Sequence, residues 1–231
     1  MKTIGLIGGM SWESTALYYR LINEQVRDRL GGLHSAKLLL WSFDFDEIAA
    51  LQSAGDWEGA TERMMDAALR LKNAGADALV ICTNTMHKMA VAVEVAAELP
   101  LLHIADATAE AIKAQKIRKV GLLATRFTME QDFYKGRLLE KHGIETLVPD
   151  DEGRDAVHRI IYDELCKGVV KEDSKAQYLK IMETLLREGA EGIILGCTEI
   201  GMLIKPEDVR VPVFDTTQLH AEAAVTFALS R

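Results

Sequence analysis

No apolar run in the 231 residues approaches the roughly 20 needed to cross a bilayer. The opening residues, Met1-Lys2-Thr3-Ile4-Gly5, run straight into a strand-like segment and leave no room for a signal peptide, so a cytoplasmic protein off the membrane is expected. Positive charge is also scarce. Lysine and arginine number 27 against 35 acidic residues, a formal charge of −8, and no basic cluster stands out. That excludes a nucleic-acid footprint but not an anionic substrate, which backbone N–H groups bind locally whatever the net charge. Only three cysteines occur, Cys82, Cys166 and Cys197, an odd and scattered set that reads as reduced thiols. The cysteines and six histidines show no close-spaced ligand pattern, so no metal is expected. The spaced three-glycine dinucleotide fingerprint is missing as well, and no nucleotide cofactor is expected.

What is present is an ordinary globular composition, 48% hydrophobic and 27% charged, arranged as alternating strand and helix patterns. Apolar, β-branched runs at Ile4–Ile7, Lys37–Trp41, Ala78–Ile81, Leu101–Ile104, Val120–Leu123, Thr146–Val148, Gly192–Leu195 and Val211–Phe214 read as strands. Thr15–Leu30, Trp57–Ala74, Thr128–His142 and Lys175–Glu188 carry apolar residues at three- and four-residue spacing and read as helices, as does the alanine-rich Met89–Leu99. Such alternation predicts an α/β protein with mostly parallel sheets flanked by helices, and ligands beyond the carboxyl ends of the strands. The acidic run Asp150-Asp151-Glu152 reads as a solvated loop, and Gly8-Gly9 as a tight turn that lets a ligand approach the backbone.

The chain also repeats itself. Gly75-Ala76-Asp77-Ala78-Leu79-Val80-Ile81-Cys82-Thr83-Asn84-Thr85 lies without a gap over Gly189-Ala190-Glu191-Gly192-Ile193-Ile194-Leu195-Gly196-Cys197-Thr198-Glu199. Upstream, Ile4-Gly5-Leu6-Ile7 matches Val120-Gly121-Leu122-Leu123. Downstream, Leu99-Pro100-Leu101-Leu102 and Asp106-Ala107-Thr108 match Val211-Pro212-Val213-Phe214 and Asp215-Thr216-Thr217. Three segments in one order at nearly equal spacing imply two related halves, expected as residues 1–98 plus 212–231, and 99–211. The repeat sets Thr83 opposite Cys197. Alternation along a strand then turns Cys82 into packing, away from Thr83.

Each half thus ends a strand in a polar cluster, Thr83-Asn84-Thr85 or Cys197-Thr198-Glu199, that opens a helix. Free N–H groups there attract a carboxylate and lower the pKa of a nearby thiol. Cys197 becomes the candidate proton-abstracting base. His87 reads either as facing the same side as Thr83 or as a hydrogen-bonded structural histidine.

Ile4-Gly5-Leu6-Ile7-Gly8-Gly9-Met10-Ser11, Cys82-Thr83-Asn84-Thr85-Met86-His87 and Gly196-Cys197-Thr198-Glu199 together resemble the aspartate/glutamate racemase family over essentially the whole chain. Within it the likeness is strongest to enterobacterial amino-acid racemases of broad or L-aspartate/glutamate-directed specificity. The resemblance implies two Rossmann-like halves, an active site in the cleft between them, a homodimer, and no cofactor. Two residues would exchange a proton at Cα from opposite faces, cysteines in most members. On this sequence the second falls on Cys197. The first falls on Thr83, because Asn84-Thr85 and His87 set the register and leave Cys82 one place early. Met10, Gln52, Asn84, Thr85, Thr125, Thr198 and Glu199 would line the substrate pocket. Gln52 stands where some relatives place an arginine for a distal carboxylate. A lysine of some relatives has no counterpart, since Cys166 holds its register and Lys167 is one step off. The expected function is racemisation of acidic or broader-range amino acids. An isomerase or decarboxylase of small carboxylates, and a non-catalytic carboxylate binder, remain alternatives.

Overall fold

The computed structural model describes residues 1–230. The chain divides into two compact units, Met1–His103 with the chain from His220 on, and Ile104–Leu219. The first runs β1 (Ile4–Gly8), α1 (Trp12–Leu30), β2 (Leu38–Ser42), α2 (Phe45–Ala54), α3 (Trp57–Asn73), β3 (Ala78–Ile81), a 3-10 helix (Thr85–Met89) and α4 (Ala90–Ala97). The second runs α5 (Ile104–Ala114), β4 (Lys119–Ala124), α6 (Arg126–Glu130), α7 (Asp132–His142), β5 (Glu145–Leu147), α8 (Asp151–Asp163), a 3-10 turn (Leu165–Lys167), α9 (Glu172–Arg187), β6 (Ile193–Gly196), α10 (Ile200–Leu203), a 3-10 turn (Pro206–Asp208) and β7 (Val213–Asp215). The last helix, α11 (Thr216–Leu229), begins in the second unit and ends in the first. Both sheets are parallel, in the orders β2-β1-β3 and β5-β4-β6-β7.

Period-two alternation divides the first unit into two cores. Ile4, Leu6, Ala78, Val80 and Cys82 pack with α1 and the end of α11, while Ile7, Leu79 and Ile81 pack with α3 and α4. The second unit has one core, built on β4, β6 and the surrounding helices. In the first unit Lys88 Nζ lies 4.1 Å from the centroid of the Trp57 ring, and Arg70 lies over Trp41 at 4.8 Å.

The sequence repeat has a backbone counterpart. Gly5 pairs Leu79 in the first sheet, and Gly121 pairs Ile193 in the second, the same register under the repeat. Gly75 and Gly189 hold matching left-handed φ values of 98° and 99° after α3 and α9, where a side chain would be strained. Each is followed by a 3.0 Å bond to an equivalent leucine, Ala76 N–H to Leu71 O and Ala190 N–H to Leu185 O. Those leucines crowd the first strand of each sheet. A Cβ on Gly5 would lie 3.2 Å from Leu71 Cβ; one on Gly121 would meet Leu185 Cδ1 and Ile193 Cδ1 at 2.9 Å. Gly121→Ala is therefore expected to destabilise the protein by about 1–3 kcal/mol, seen as a lower urea midpoint at unchanged slope.

Several elements differ from the sequence expectation. Leu101–Ile104 forms no strand: only Leu101 bridges, to Leu79, and α5 begins at Ile104. Counting from Pro100 and Pro212, whose carbonyls accept from Leu79 and Ile193 at 2.9 Å, His103 occupies the place of Asp215. Asp106 does not hold it; its carboxylate instead takes a bidentate bond from Arg137 and one each from Lys141 and His142, tying α5 to α7. The long helix expected over Thr128–His142 is broken at Gln131, whose extended backbone (φ −88°, ψ 152°) separates α6 from α7. Asp150-Asp151-Glu152 begins α8 rather than a loop. Asp150 caps the Gly153 N–H at 2.8 Å, and the acidic first turn suits the helix dipole. The units change at His103/Ile104 and within α11, not at 98 and 212, because β7 hydrogen-bonds β6.

Candidate active site

In the first unit the expected residues gather at the carboxyl ends of β1 and β3. Cys82 continues the ladder through its N–H to Ile7 O at 2.9 Å and is fully buried, and burial pushes its thiol far up. Thr83, the next residue, is half-buried, while Asn84 and Thr85 are buried. Gln52, reaching from α2, donates through Nε2 to Met86 Sδ at 3.1 Å, and Met10 packs in the same core layer as Met86. The Gly8-Gly9 turn is closed by protein rather than opened to a ligand. A Cβ on Gly9 (φ 83°) would meet the Phe43 backbone, and one on Gly8 would strike the Thr15 side chain.

Behind Thr83 stand three buried histidines. His87 Nδ1–H donates to Thr83 O at 2.8 Å, so His87 holds the chain at that residue. Its ring lies 4.6 Å from His103 and 5.5 Å from His220. His220 donates from Nε2 to Leu102 O and accepts at Nδ1 from the Tyr18 hydroxyl at 2.8 Å. That tautomer is neutral, and complete burial holds the His220 pKa down to about 4.

In the second unit Cys197 follows β6 directly. It is half-buried between buried neighbours, as Thr83 is. Its thiol donates to Glu199 Oε2 at 3.0 Å, and the Thr198 hydroxyl donates to the same oxygen. Burial first, and then the Glu199 charge, raise the thiol pKa well above its usual value. The lowering expected from a helix N-terminus is not realised, because α10 is a single turn and a carboxylate faces the sulfur. Tyr162 and Tyr178 border the same place; burial, then Cys197 and Cys166, raise both hydroxyls. Thr125 sits buried at the end of β4, its hydroxyl 3.3 Å from that of Thr128. The next N–H, of Arg126, donates to His158 Nδ1 at 3.2 Å, and the His158 ring packs 4.7 Å from Tyr162. His158, Tyr162 and Tyr178 were not read from the sequence: the first two lie four residues apart on α8, whose start resembled a loop. Lys167 is exposed and lies 4.0 Å from Asp163. Among the described residues no group of histidine, cysteine and carboxylate side chains could hold a metal ion, and no helix is long and apolar enough to cross a membrane.

Residues 7–224 match the sequence model of the Asp/Glu/hydantoin racemase family. The chain belongs to that family. A crystal structure of a candidate Asp/Glu racemase from Yersinia pestis shares 59% identity and a TM-score of 0.94, each chain covered in full. An aspartate racemase homologue from Pyrococcus horikoshii shares 38% identity over the whole of both chains, with a TM-score of 0.86. A broad specificity amino-acid racemase from Bacillus subtilis is 24% identical over 98% of each chain. The chain is thus an isomerase of the racemase class.

This racemase keeps a titratable ring under Thr83, with a defined consequence for pH. His220 is neutral when folded, with a pKa near 4, against about 6.5 when unfolded. Its contribution to stability is complete above about pH 6.5 and lost as the pH falls toward 4, since only the unfolded chain takes up the proton. About 3 kcal/mol is at stake. Urea unfolding at pH 7, 5.5 and 4 should show that slope in the wild type and a shallower one in His220→Gln.

Proposed function

We propose that this chain is a cofactor-independent amino-acid racemase acting on acidic or broader-range amino acids, with Cys197 as the base for the L-form and Thr83 working at the opposite face of Cα. The observation that carries this reading is the Cys197 thiol hydrogen-bonded to Glu199, at a strand end whose counterpart in the duplicated frame is Thr83. The Bacillus subtilis relative, a broad specificity amino-acid racemase, supports the same reaction.

A thiol must lose its proton before it can take another, and Glu199 Oε2 is the acceptor within reach. The thiolate then removes the α-hydrogen of the L-amino acid, leaving a carbanion at Cα. Thr83 gives its hydroxyl proton to the other face and is reprotonated from water, while Glu199 returns its proton to solvent. Met10, Gln52, Asn84, Thr85, Thr125 and Thr198 hold the substrate. A threonine hydroxyl is a poor base at neutral pH, so reaction from the D-form is slower than from the L-form. We place the enzyme in the cytoplasm as a homodimer. A screen of amino acids in deuterated water without added pyridoxal phosphate tests the reading. Deuterium entering Cα, with change of optical rotation and without loss of mass as carbon dioxide, is expected; ligand binding with no Cα exchange would overturn it.

A further inference from the structure

The duplicated frame allows each unit to be compared with the other position by position, and at one place the two differ in volume. In the first unit the residue four past Thr83 is His87, the residue ending the last strand segment is His103, and the third ring is His220. Their counterparts in the second unit are Gly201, Asp215 and Thr108. The last pairing is secured by two equivalent buried tyrosines. Tyr18 donates its hydroxyl to His220, and Tyr134 donates its hydroxyl to Thr108 at 3.4 Å. The first two are secured by proximity: the His87 and His103 rings touch, and a Cβ placed on Gly201 would lie 3.1 Å from Asp215 Oδ2.

Three imidazole rings are thus replaced by a hydrogen, a carboxylate and a small hydroxyl. Two of these positions, Gly201 and Asp215, line a pocket of about 280 Å³ in the second unit, together with Leu195, Lys205, Val213 and Gln218 among others, while Thr108 is buried away from it. Its lining mixes apolar side chains, Leu195, Val213 and Phe214 among them, with the polar groups of Gln115, Lys205, Asp215 and Gln218, a combination that can both enclose and orient a small ligand. Asp215 Oδ1 is engaged, accepting from the Thr217 and Gln218 N–H groups at 2.9 and 3.2 Å and so capping α11. Oδ2 accepts no hydrogen bond from the described residues and faces Gly201. Lys205, the cation nearby, spends its ammonium on Gly201 O at 2.6 Å. Burial raises the Asp215 pKa more than Lys205 and the two N–H groups lower it, the condition of a carboxylate short of a counter-charge.

We propose that this pocket is a binding site for a small organic cation, an imidazolium or primary ammonium group on a short apolar frame, paired with Asp215 Oδ2 where the first unit carries its own histidine rings. A charged donor on a carboxylate in a half-buried cavity forms the strong class of hydrogen bond, and a flat ring of imidazole size replaces the missing side chains. This site is separate from the Cys197 chemistry and goes beyond the racemase reading. Its test reads binding, not turnover.

Imidazole at about pH 6, where the ring is largely cationic, is titrated into the whole protein while the methyl resonances of Leu195 and Val213 are followed. Pyrazole, a ring of the same size that stays neutral, is the control. Saturable shifts are expected with imidazole, with affinity at least about tenfold above that for pyrazole. Asp215→Asn keeps an oxygen to cap α11 and should bring imidazole down to the pyrazole level. Gly201→His supplies the ring from within and should abolish the shifts. Equal response to both rings, or shifts that persist in both variants, would overturn the site.

Discussion

Cys197→Ser is expected to lower the exchange of the α-hydrogen of an L-amino acid substrate by about 10³-fold or more, with little change in stability. Serine keeps the size and the hydrogen bond to Glu199 but loses the accessible anion, so the loss falls on proton removal itself. Cys82→Ala is the matched control. Cys82 is fully buried in the layer of Ile4, Leu6 and Val80, with its thiol held protonated by burial, and its loss should leave turnover per folded molecule unchanged. Exchange is read by NMR in deuterated water. Undiminished exchange in the Cys197 variant, or loss in the Cys82 variant, would move the chemistry to another residue. Thr83→Cys should then raise exchange from the D-form, by giving that face a base.

Glu199→Gln should separate two properties that usually move together. The carboxylate raises the thiol pKa by its charge and also accepts the thiol proton. Without it the thiolate forms at lower pH, so alkylation of Cys197 by iodoacetamide at neutral pH should speed up. Racemisation should nevertheless fall by about 10²-fold, because no carboxylate remains beside the sulfur to pass on to solvent the proton it takes from Cα in each turnover. Parallel loss of both rates would mean that Glu199 only holds the loop in shape. The thiol should lose reactivity in the wild type as the pH falls, and that limb should move to lower pH in the variant.

Much of this frame was legible in the sequence because it is written there twice. Gly75 and Gly189, Leu71 and Leu185, and Gly5 and Gly121 meet the same steric demands in both units, and so they recur at fixed spacing. The same register placed Thr83 and Cys197 at matching, half-buried positions. What escaped were features without a local pattern. The fourth strand of the first sheet is a single bridge at Leu101, although its residues are as apolar as those of β7. The break at Gln131 is marked by neither a glycine nor a proline. The electrostatics of Cys197 follow from burial first and then from the charge of Glu199, two residues on, which together outweigh the ends of a one-turn helix. The histidine cluster draws on three separate segments, and no spacing joins His87, His103 and His220.

All three tryptophans, Trp12, Trp41 and Trp57, belong to the first unit, and the second has none. Intrinsic emission excited at the red edge of the indole band therefore reports on the half that bears Thr83 and is blind to the half that bears Cys197. Trp57, with the Lys88 ammonium over its ring five residues past Thr83, is the fluorophore best placed to brighten or quench when that segment takes up a ligand. A melting curve followed by this light alone would read the first unit directly, and circular dichroism would read both.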